Sequence, residues 1–592
     1  MILLTLACSS GPTAVIDGPG WLSGPWPSTD ISEITLPETD SEIGTTLIQG
    51  WTEQAAQAAT GWSHFQPVYF PFDGPLEKLD VVLLDSNGNE HPIEVGFIDD
   101  ALGDPFLADN TLVLSPRSDA PLRSGETYTA IVSEDVARAP DGYEGPGAIS
   151  TSFTVQDSVG QLQALARATD DALDAHPDWL EPTELRRVAA MSYSQGETPG
   201  GKAATVVTVT FEDGEVERSY LDDREGDPSV EWDLLHDWPM EVWQTSIRTV
   251  SMRPLDGMPW ASPGLGLLTD FNRRHDGWME LDALDPEPEW MRVVIQVPKG
   301  GDSLAVMTWD HGTAGHAYNA VHRANDGDHG DEVALRLADA GVVVVSRDQP
   351  LYGTRYPLID QGFSGSIGFY NIGNLPAFRD NQRQGAVDNR VLHRFVTDAL
   401  GAYVDGLDRG VGSFGHSLGS VTNNLALVMD SDVESGADHA LQSGTGGYLT
   451  FYVLSTGLLG TSNSAVTTLG PLLGIDNAEN ASPSELVAAL AGVPEAAWPL
   501  FDHRHPVMNV FQIIMDPSDP LAVAPAQTTP QTIVLGVNDL QVPNLTTEWL
   551  SSALGAPNEV VECTPSYDYD GHYCAFREPA GMDAWATFGE GL

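Results

Sequence analysis

The stretch Val411-Gly-Ser-Phe414-Gly415-His416-Ser417-Leu418-Gly419-Ser420 decides the reading of this chain. Val411 to Phe414 has strand character, Ser420 to Met429 is helix-compatible, and Gly-x-Ser-x-Gly lies between them. A strand-to-helix turn this tight favours glycine on either side of the central residue. Its strain lifts the serine hydroxyl clear of the sheet, where a base and a substrate can reach it. By itself the pentapeptide is a moderate signal, because Gly and Ser are abundant here, and its companions give it weight.

A serine hydroxyl is a weak nucleophile at neutral pH. It needs a base, an acid that orients the base, and donors for the oxyanion. Upstream, Asp310-His311-Gly312-Thr313-Ala314-Gly315 follows the strand candidate Leu304 to Trp309. Downstream, Gly536-Val-Asn-Asp539-Leu-Gln-Val542-Pro543 follows the strand candidate Thr532 to Leu535, and Gly571-His572 comes 33 residues after Asp539 in a polar loop. Asp516 and Asp519, in Met-Asp-Pro-Ser-Asp-Pro, are rival acids, whereas no other histidine follows Asp539. Asp539 is preferred because a clean strand precedes it.

With these four motifs in order, residues from about 285 to 592 resemble an α/β-hydrolase of the esterase/lipase type. With the early stretches Gly24-Pro-Trp-Pro-Ser-Thr-Asp30 and Gly61-Trp-Ser-His-Phe-Gln-Pro-Val-Tyr-Phe-Pro-Phe-Asp-Gly-Pro-Leu-Glu77, less specific than the catalytic motifs, the whole chain resembles bacterial lipoprotein lipases with an Ig-like N-terminal region. The resemblance implies a triad of Ser417, Asp539 and His572. It also implies an oxyanion hole from the backbone amides of Thr313 and Leu418, supported by His311, Gly312, Gly415 and Gly419. His311 reads as a loop residue rather than a base, and His416 as a packing residue beside the serine. No metal or organic cofactor is implied. The expected substrate is a small-molecule or lipid ester; a peptide or amide bond, or a non-catalytic surface-binding role, are the alternatives.

The 592 residues exceed one ordinary core, and 41% hydrophobic residues suffice to bury several. The net charge of -58, with only Lys78, Lys202 and Lys299 as lysines, repels phosphate backbones and anionic membranes and argues against nucleic-acid partners. Such a surface suits high ionic strength, although biased genome composition accounts equally well for so few lysines. Met1 to Cys8 resembles a lipoprotein signal ending at a lipidated Cys8, without a basic first segment and with Thr5 where leucine is usual. No later run approaches the roughly 18 apolar residues that span a bilayer. The expectation is a monomer in the bacterial cell envelope, outer-membrane-anchored or secreted, touching membrane only through Cys8. If Cys8 carries lipid, Cys563 and Cys574 form a pair in an oxidising compartment.

Residues 9–60, rich in Pro, Gly, Ser and Thr, read as a tether. Residues 61–155 read as a small all-β Ig-like domain. Val81 to Leu84 and Ile93 to Ile98 flank the hairpin signal Asp85-Ser-Asn87-Gly88, and Thr111 to Ser115 and Thr127 to Val132 follow. Residues 156–284 read as a connector with helices at Gln161 to Ala175 and Glu184 to Ala190 and a strand at Ala203 to Phe211. From 285 the pattern is α/β, with a mostly parallel sheet and β-branched runs such as Val342 to Val345. Helices are expected at Asp331 to Ala340, Ala386 to Ala399 and Ser420 to Met429. An insertion over about 448–523, with a capping box at Ser482-Pro-Ser-Glu485, reads as a cap. Asp326-Gly-Asp328-His-Gly-Asp331-Glu332 reads as a solvated loop capping the helix at Asp331, with a calcium site as the alternative.

Overall fold

The computed structural model describes residues 12–15, 24–27, 34, 36–39, 42–201, 203–222, 230–233, 238–252, 279, 281, 284–301, 303–321, 332–355, 365–371, 374–431, 436–456, 482–566 and 570–592. Cys8, the acidic run from Asp326 to Asp331 and the part of the insertion at 457–481 lie outside them. Among the described residues no helix is long and apolar enough to cross a membrane. The chain divides into two compact units, and each is discontinuous in sequence.

Unit one comprises Met1–Ser158 together with Tyr448–Asp516. Its strands are β1 (Val68–Pro71), β2 (Val81–Leu84), β3 (Ile93–Ile98), β4 (Thr111–Pro116), β5 (Thr127–Val132) and β6 (Ile149–Thr154). They form two three-stranded antiparallel sheets in the orders β1-β4-β3 and β2-β5-β6. The expected turn is present: Asp85 Oδ1 accepts the Asn87 and Asn89 amides at 2.9 and 2.8 Å, and Gly88 takes φ 80. The hairpin itself needs correction, because β2 and β3 enter different sheets after a single bridge, Leu84 to Glu90.

The expected boundaries also need correction. Within the supposed tether, Glu42–Ala58 is a helix whose Trp51 meets Phe511 edge to face at 5.5 Å. The inserted residues belong to this unit. Tyr448 stacks on Phe65 at 4.1 Å, His505 Nε2 lies 3.1 Å from Asp104, and Gln156 donates to the Ile513 carbonyl at 2.6 Å. The supposed cap is therefore built around the early strands, and residues 61–155 are not a self-contained all-β domain. The capping box at Ser482 is formed, with Glu485 N donating to Ser482 Oγ and Ser482 N to Glu485 Oε2.

Unit two, Val159–Gly447 with Pro517–Leu592, is organised on one twelve-stranded sheet. Its strands are β7 (Arg186–Glu197), β8 (Ala203–Phe211), β9 (Val216–Asp222), β10 (Val230–Asp233), β11 (Met240–Ser251), β12 (Glu287–Pro298), β13 (Leu304–Asp310), β14 (Val342–Arg347), β15 (Leu407–His416), β16 (His439–Ser443), β17 (Gln531–Gly536) and β18 (Asn558–Cys563). The order is β18-β17-β16-β15-β13-β14-β12-β11-β7-β8-β9, with β10 also on β7. From β14 to β18 neighbouring strands are parallel, while β12 runs antiparallel to β14 and to β11.

The connector and its boundary at 285 are thereby corrected: β11 pairs with β12 along its whole length, Met240 opposite Pro298 to Ser251 opposite Glu287. Arg186–Glu197 is a strand, not a helix. Its Val188, Met191 and Tyr193 are buried, and antiparallel pairing with β8 overrides the helical propensity of Glu-Leu-Arg-Arg-Val-Ala-Ala. The β-branched run in β14 is covered on both faces. Val343 and Val345 pack with Leu165, Val391 and Leu425 from one side, and Val342 and Val344 pack with Leu337 and Trp585 from the other. Two parallel faces covered by helices put the carboxyl ends of β13, β15 and β17 at one edge of the sheet, where loops gather.

Candidate active site

Ser417 leaves β15 at φ 54, ψ -121 and starts the helix Leu418–Met429. Positive φ is costly for a serine and persists because the surroundings force it. A Cβ at Gly415 would stand 2.6 Å from the Gly419 carbonyl oxygen, and one at Gly419 would stand 2.2 Å from the Asp310 carbonyl oxygen. Both glycines are thus demanded by close backbone approach. The Ser417 amide donates to the Ser443 carbonyl at 2.9 Å, which ties the turn to β16.

The loop after β13 runs beside this turn. A Cβ at Gly312 would lie 3.1 Å from the Ser417 Cβ, so the Gly312 backbone passes within touching distance of the serine. His311 is buried and its tautomer is set by its partners. Nε2 accepts the Gln349 amide at 3.0 Å, and Nδ1–H donates to the Gly312 carbonyl at 2.8 Å. The Gln349 side chain also donates to the His311 carbonyl at 2.7 Å. Burial lowers the His311 pKa to about 4, so the ring is neutral and acts as a brace for the loop, not a base. Beneath the loop, burial pushes the Asp310 carboxyl up to about 6, opposed by the Arg347 guanidinium at 2.8 Å. A small polar cavity opens here, lined by His311, Gly312, Thr313, Asn319 and His416.

His311 carries a pH consequence. Its folded pKa lies below the ordinary 6.5, so on acidification the unfolded chain takes up a proton first and the folded chain resists it. Buried His64, likewise lowered to about 4 by desolvation, adds the same linkage. Stability is expected to be unaffected by these groups above about pH 7. It should fall as the pH drops from about 6.5 to 4, by up to about 3 kcal/mol per histidine. Thermal melts at half-unit pH steps check this; His311→Gln together with His64→Gln should flatten the slope if both variants fold, and an equal slope in wild type and variant would exclude the assignment.

Asp539 and His572 come from loops after β17 and β18. The His572 Nδ1 lies 2.9 and 3.1 Å from the two Asp539 carboxylate oxygens, and both residues are buried. Asp539 Oδ1 further accepts the Gln541 and Val542 amides at 2.9 and 2.7 Å, which fixes the carboxylate's direction. The imidazole packs at 4.8 Å, centroid to centroid, against His416, the neighbour of Ser417. A Cβ at Gly444 would be 2.7 Å from the His572 Cε1, so the residue directly after β16 must be glycine for the ring to sit here. Cys563 and Cys574 form a disulfide with Cα atoms 6.0 Å apart, closing the loop that carries His572.

The rival acids are engaged elsewhere. Asp516, in unit one, accepts the His64 amide at 2.7 Å and the Gln512 side chain at 2.8 Å. Asp519 caps the short helix Pro520–Val523. Leu418 sits at the first position of the serine helix, and Thr313 lies in the loop beside Ser417. Sequence reasoning missed three residues that hold the site. Gln349 braces His311, Tyr370 meets Thr313, and Asp570 joins the acid and base loops by accepting both the His572 and Leu540 amides at 3.0 and 2.8 Å. Asp570-Gly571-His572 reads as a helix cap, and that was the available signal for the last. Among the described residues no group of three or more His, Cys, Asp or Glu could hold a metal ion.

No protein-family model and no curated protein matches the chain. Among solved structures, a rice cell wall degrading esterase from Xanthomonas oryzae is 13% identical, covering 60% of this chain and 92% of that one at a TM-score of 0.36. An acetyl xylan esterase from Paenibacillus sp. R4 is 14% identical over 60% and 87%, at 0.34. A cold-adapted esterase from an Arctic intertidal metagenomic library is 13% identical over 61% and 100%, at 0.31. The assignment of fold rests instead on the strand order from β11 to β18 and on the strained serine between β15 and its helix: unit two has the α/β-hydrolase fold.

Proposed function

We propose that this chain is a serine hydrolase of carboxylic esters, with Ser417, Asp539 and His572 as its triad. The observation that carries the reading is the Asp539–His572 pair, 2.9 Å apart, packed against the strained turn that presents Ser417. Ser417 Oγ attacks the ester carbonyl while His572 Nε2 takes its proton. Asp539 holds Nδ1–H and stabilises the imidazolium, and the Thr313 and Leu418 amides face the oxyanion. The tetrahedral intermediate collapses, His572 returns the proton to the leaving alcohol, and water deacylates the enzyme by the same steps. Cleavage of an amide is the second reading, since the same triad serves both reactions. The envelope location, the lipid at Cys8, the monomeric state and an Ig-like character for the early strands belong to the proposal as well.

A panel of p-nitrophenyl esters from acetate to long-chain acyl groups, with a peptide anilide alongside, tests the reaction. Turnover of esters at least about a hundredfold above the anilide is the expected result. The reverse order would replace the ester reading by the amide one, and no turnover of either would leave a binding protein on this scaffold.

A further inference from the structure

Under the ester-hydrolase reading, on which this inference rests, the Thr313 amide must be held still before reaction to stabilise an oxyanion. The loop around it is poorly suited to hold itself. It contains Gly312 and Gly315, places Ala314 at φ 58, and closes one turn through Gly315 N to the Gly312 carbonyl at 3.0 Å. Side chains anchor it instead. His311 is braced by Gln349, as described. Two residues on, the Thr313 hydroxyl lies 2.5 Å from the Tyr370 phenol oxygen.

Tyr370 follows directly on the helix Gly365–Phe369, and its amide donates to the Ser366 carbonyl at 2.9 Å. Its ring packs edge to face on Phe369 and Phe378, each at 5.3 Å. Phe369 in turn meets Tyr352 at 5.6 Å, and Tyr352 meets the His311 ring at 5.7 Å. An unbroken aromatic run therefore connects both anchors of the loop, and the phenol is fixed in place by packing. Burial pushes the Tyr370 phenol up to about 12, and within the pair either hydroxyl can donate to the other.

We propose that Tyr370 is a positioning residue: its phenol grips the Thr313 hydroxyl and so aims the Thr313 amide at the oxyanion. A residue of this kind acts on the transition state more than on substrate binding, so its removal should lower kcat and leave KM nearly alone.

The test uses the full chain with Tyr370→Phe, Thr313→Val and the double variant, assayed on one p-nitrophenyl ester. Each single change is expected to lower kcat about 10- to 30-fold, below the cost of deleting an oxyanion donor outright, with KM within about twofold. The double variant should be no worse than either single one, because both remove the same bond. Thr313→Ser should recover most of what Thr313→Val loses. Melting temperatures identify any loss due to misfolding. If Tyr370→Phe disturbs the aromatic run, the Thr313 pair tests the same bond without touching it. Wild-type kcat in Tyr370→Phe, additive losses, or an effect confined to KM would overturn the proposal. Labelling of Ser417 by a fluorophosphonate in the unaltered chain separates the two levels. If Ser417 labels and Tyr370→Phe is normal, only the role of Tyr370 falls; if another serine labels, the triad falls with it.

Discussion

Ser417→Ala is expected to abolish ester hydrolysis, lowering kcat by at least about 10⁴-fold, while the melting temperature stays within a few degrees of wild type. Loss of a triad nucleophile removes most of the chemistry, and the residue that remains is oxyanion and binding catalysis. The fold should tolerate the change, because alanine and serine meet the same steric cost at φ 54 and the Ser417 amide still donates to Ser443. The Asp539–His572 pair does not depend on the hydroxyl. A fluorophosphonate should label Ser417 in the wild-type chain and nothing in the variant. Labelling at another serine, or undiminished turnover in the variant, would sink the assignment.

Asp539→Asn is the second large effect, on the order of 10⁴-fold in kcat, because an amide that donates to Nδ1 would hold the imidazole in the wrong tautomer. The comparison with its neighbours gives the test its force. Asp519→Asn keeps a side chain that caps the helix Pro520–Val523 and should cost little in turnover. Asp516→Asn disturbs acceptors for His64 and Gln512 in unit one, so its effect should appear in the melting temperature before it appears in kcat. Near-normal turnover in Asp539→Asn alongside a dead Asp519→Asn would show that the acid has been misplaced.

Ser417 and Asp539 were legible because each sits on a glycine-marked loop directly after a strand that local sequence carries, whereas His572, nine residues beyond β18, was legible as the one histidine that follows Asp539. The fold beyond them was less so. The helix Leu375–Asp398 was read only from Ala386 onward. Its first turns carry Arg379, Asp380 and Arg383, which look like surface residues. In the fold they are buried and pair with one another, Arg379 Nε at 2.8 Å and Arg383 at 3.0 Å from Asp380. Hydrophobic periodicity has no means of marking a core made of ion pairs. Arg186–Glu197 failed for a different reason, since strands in antiparallel extensions are specified by partners far along the chain, here β8, β10 and β11. The grouping of 448–516 with the first 158 residues was likewise invisible, because it is written in contacts such as His64 to Asp516 and Asp104 to His505.

That grouping has a bearing on how the chain is made. Unit one is interrupted by residues 159–447. At a synthesis rate of about 5–20 residues per second, its first part waits roughly 18–70 s before the second is complete at Asp516. During that interval Trp51 and Phe65 lack Phe511 and Tyr448, their ring partners in the finished unit. Unit two waits too, since β17 and β18 close its sheet only at the end of the chain. Apolar surface of both units therefore stays uncovered for much of the time the chain is being made. Neither unit can be harvested by cutting the sequence once: a separable version of unit one requires the 448–516 segment to be joined to residue 158 by a linker, with unit two expressed apart from it.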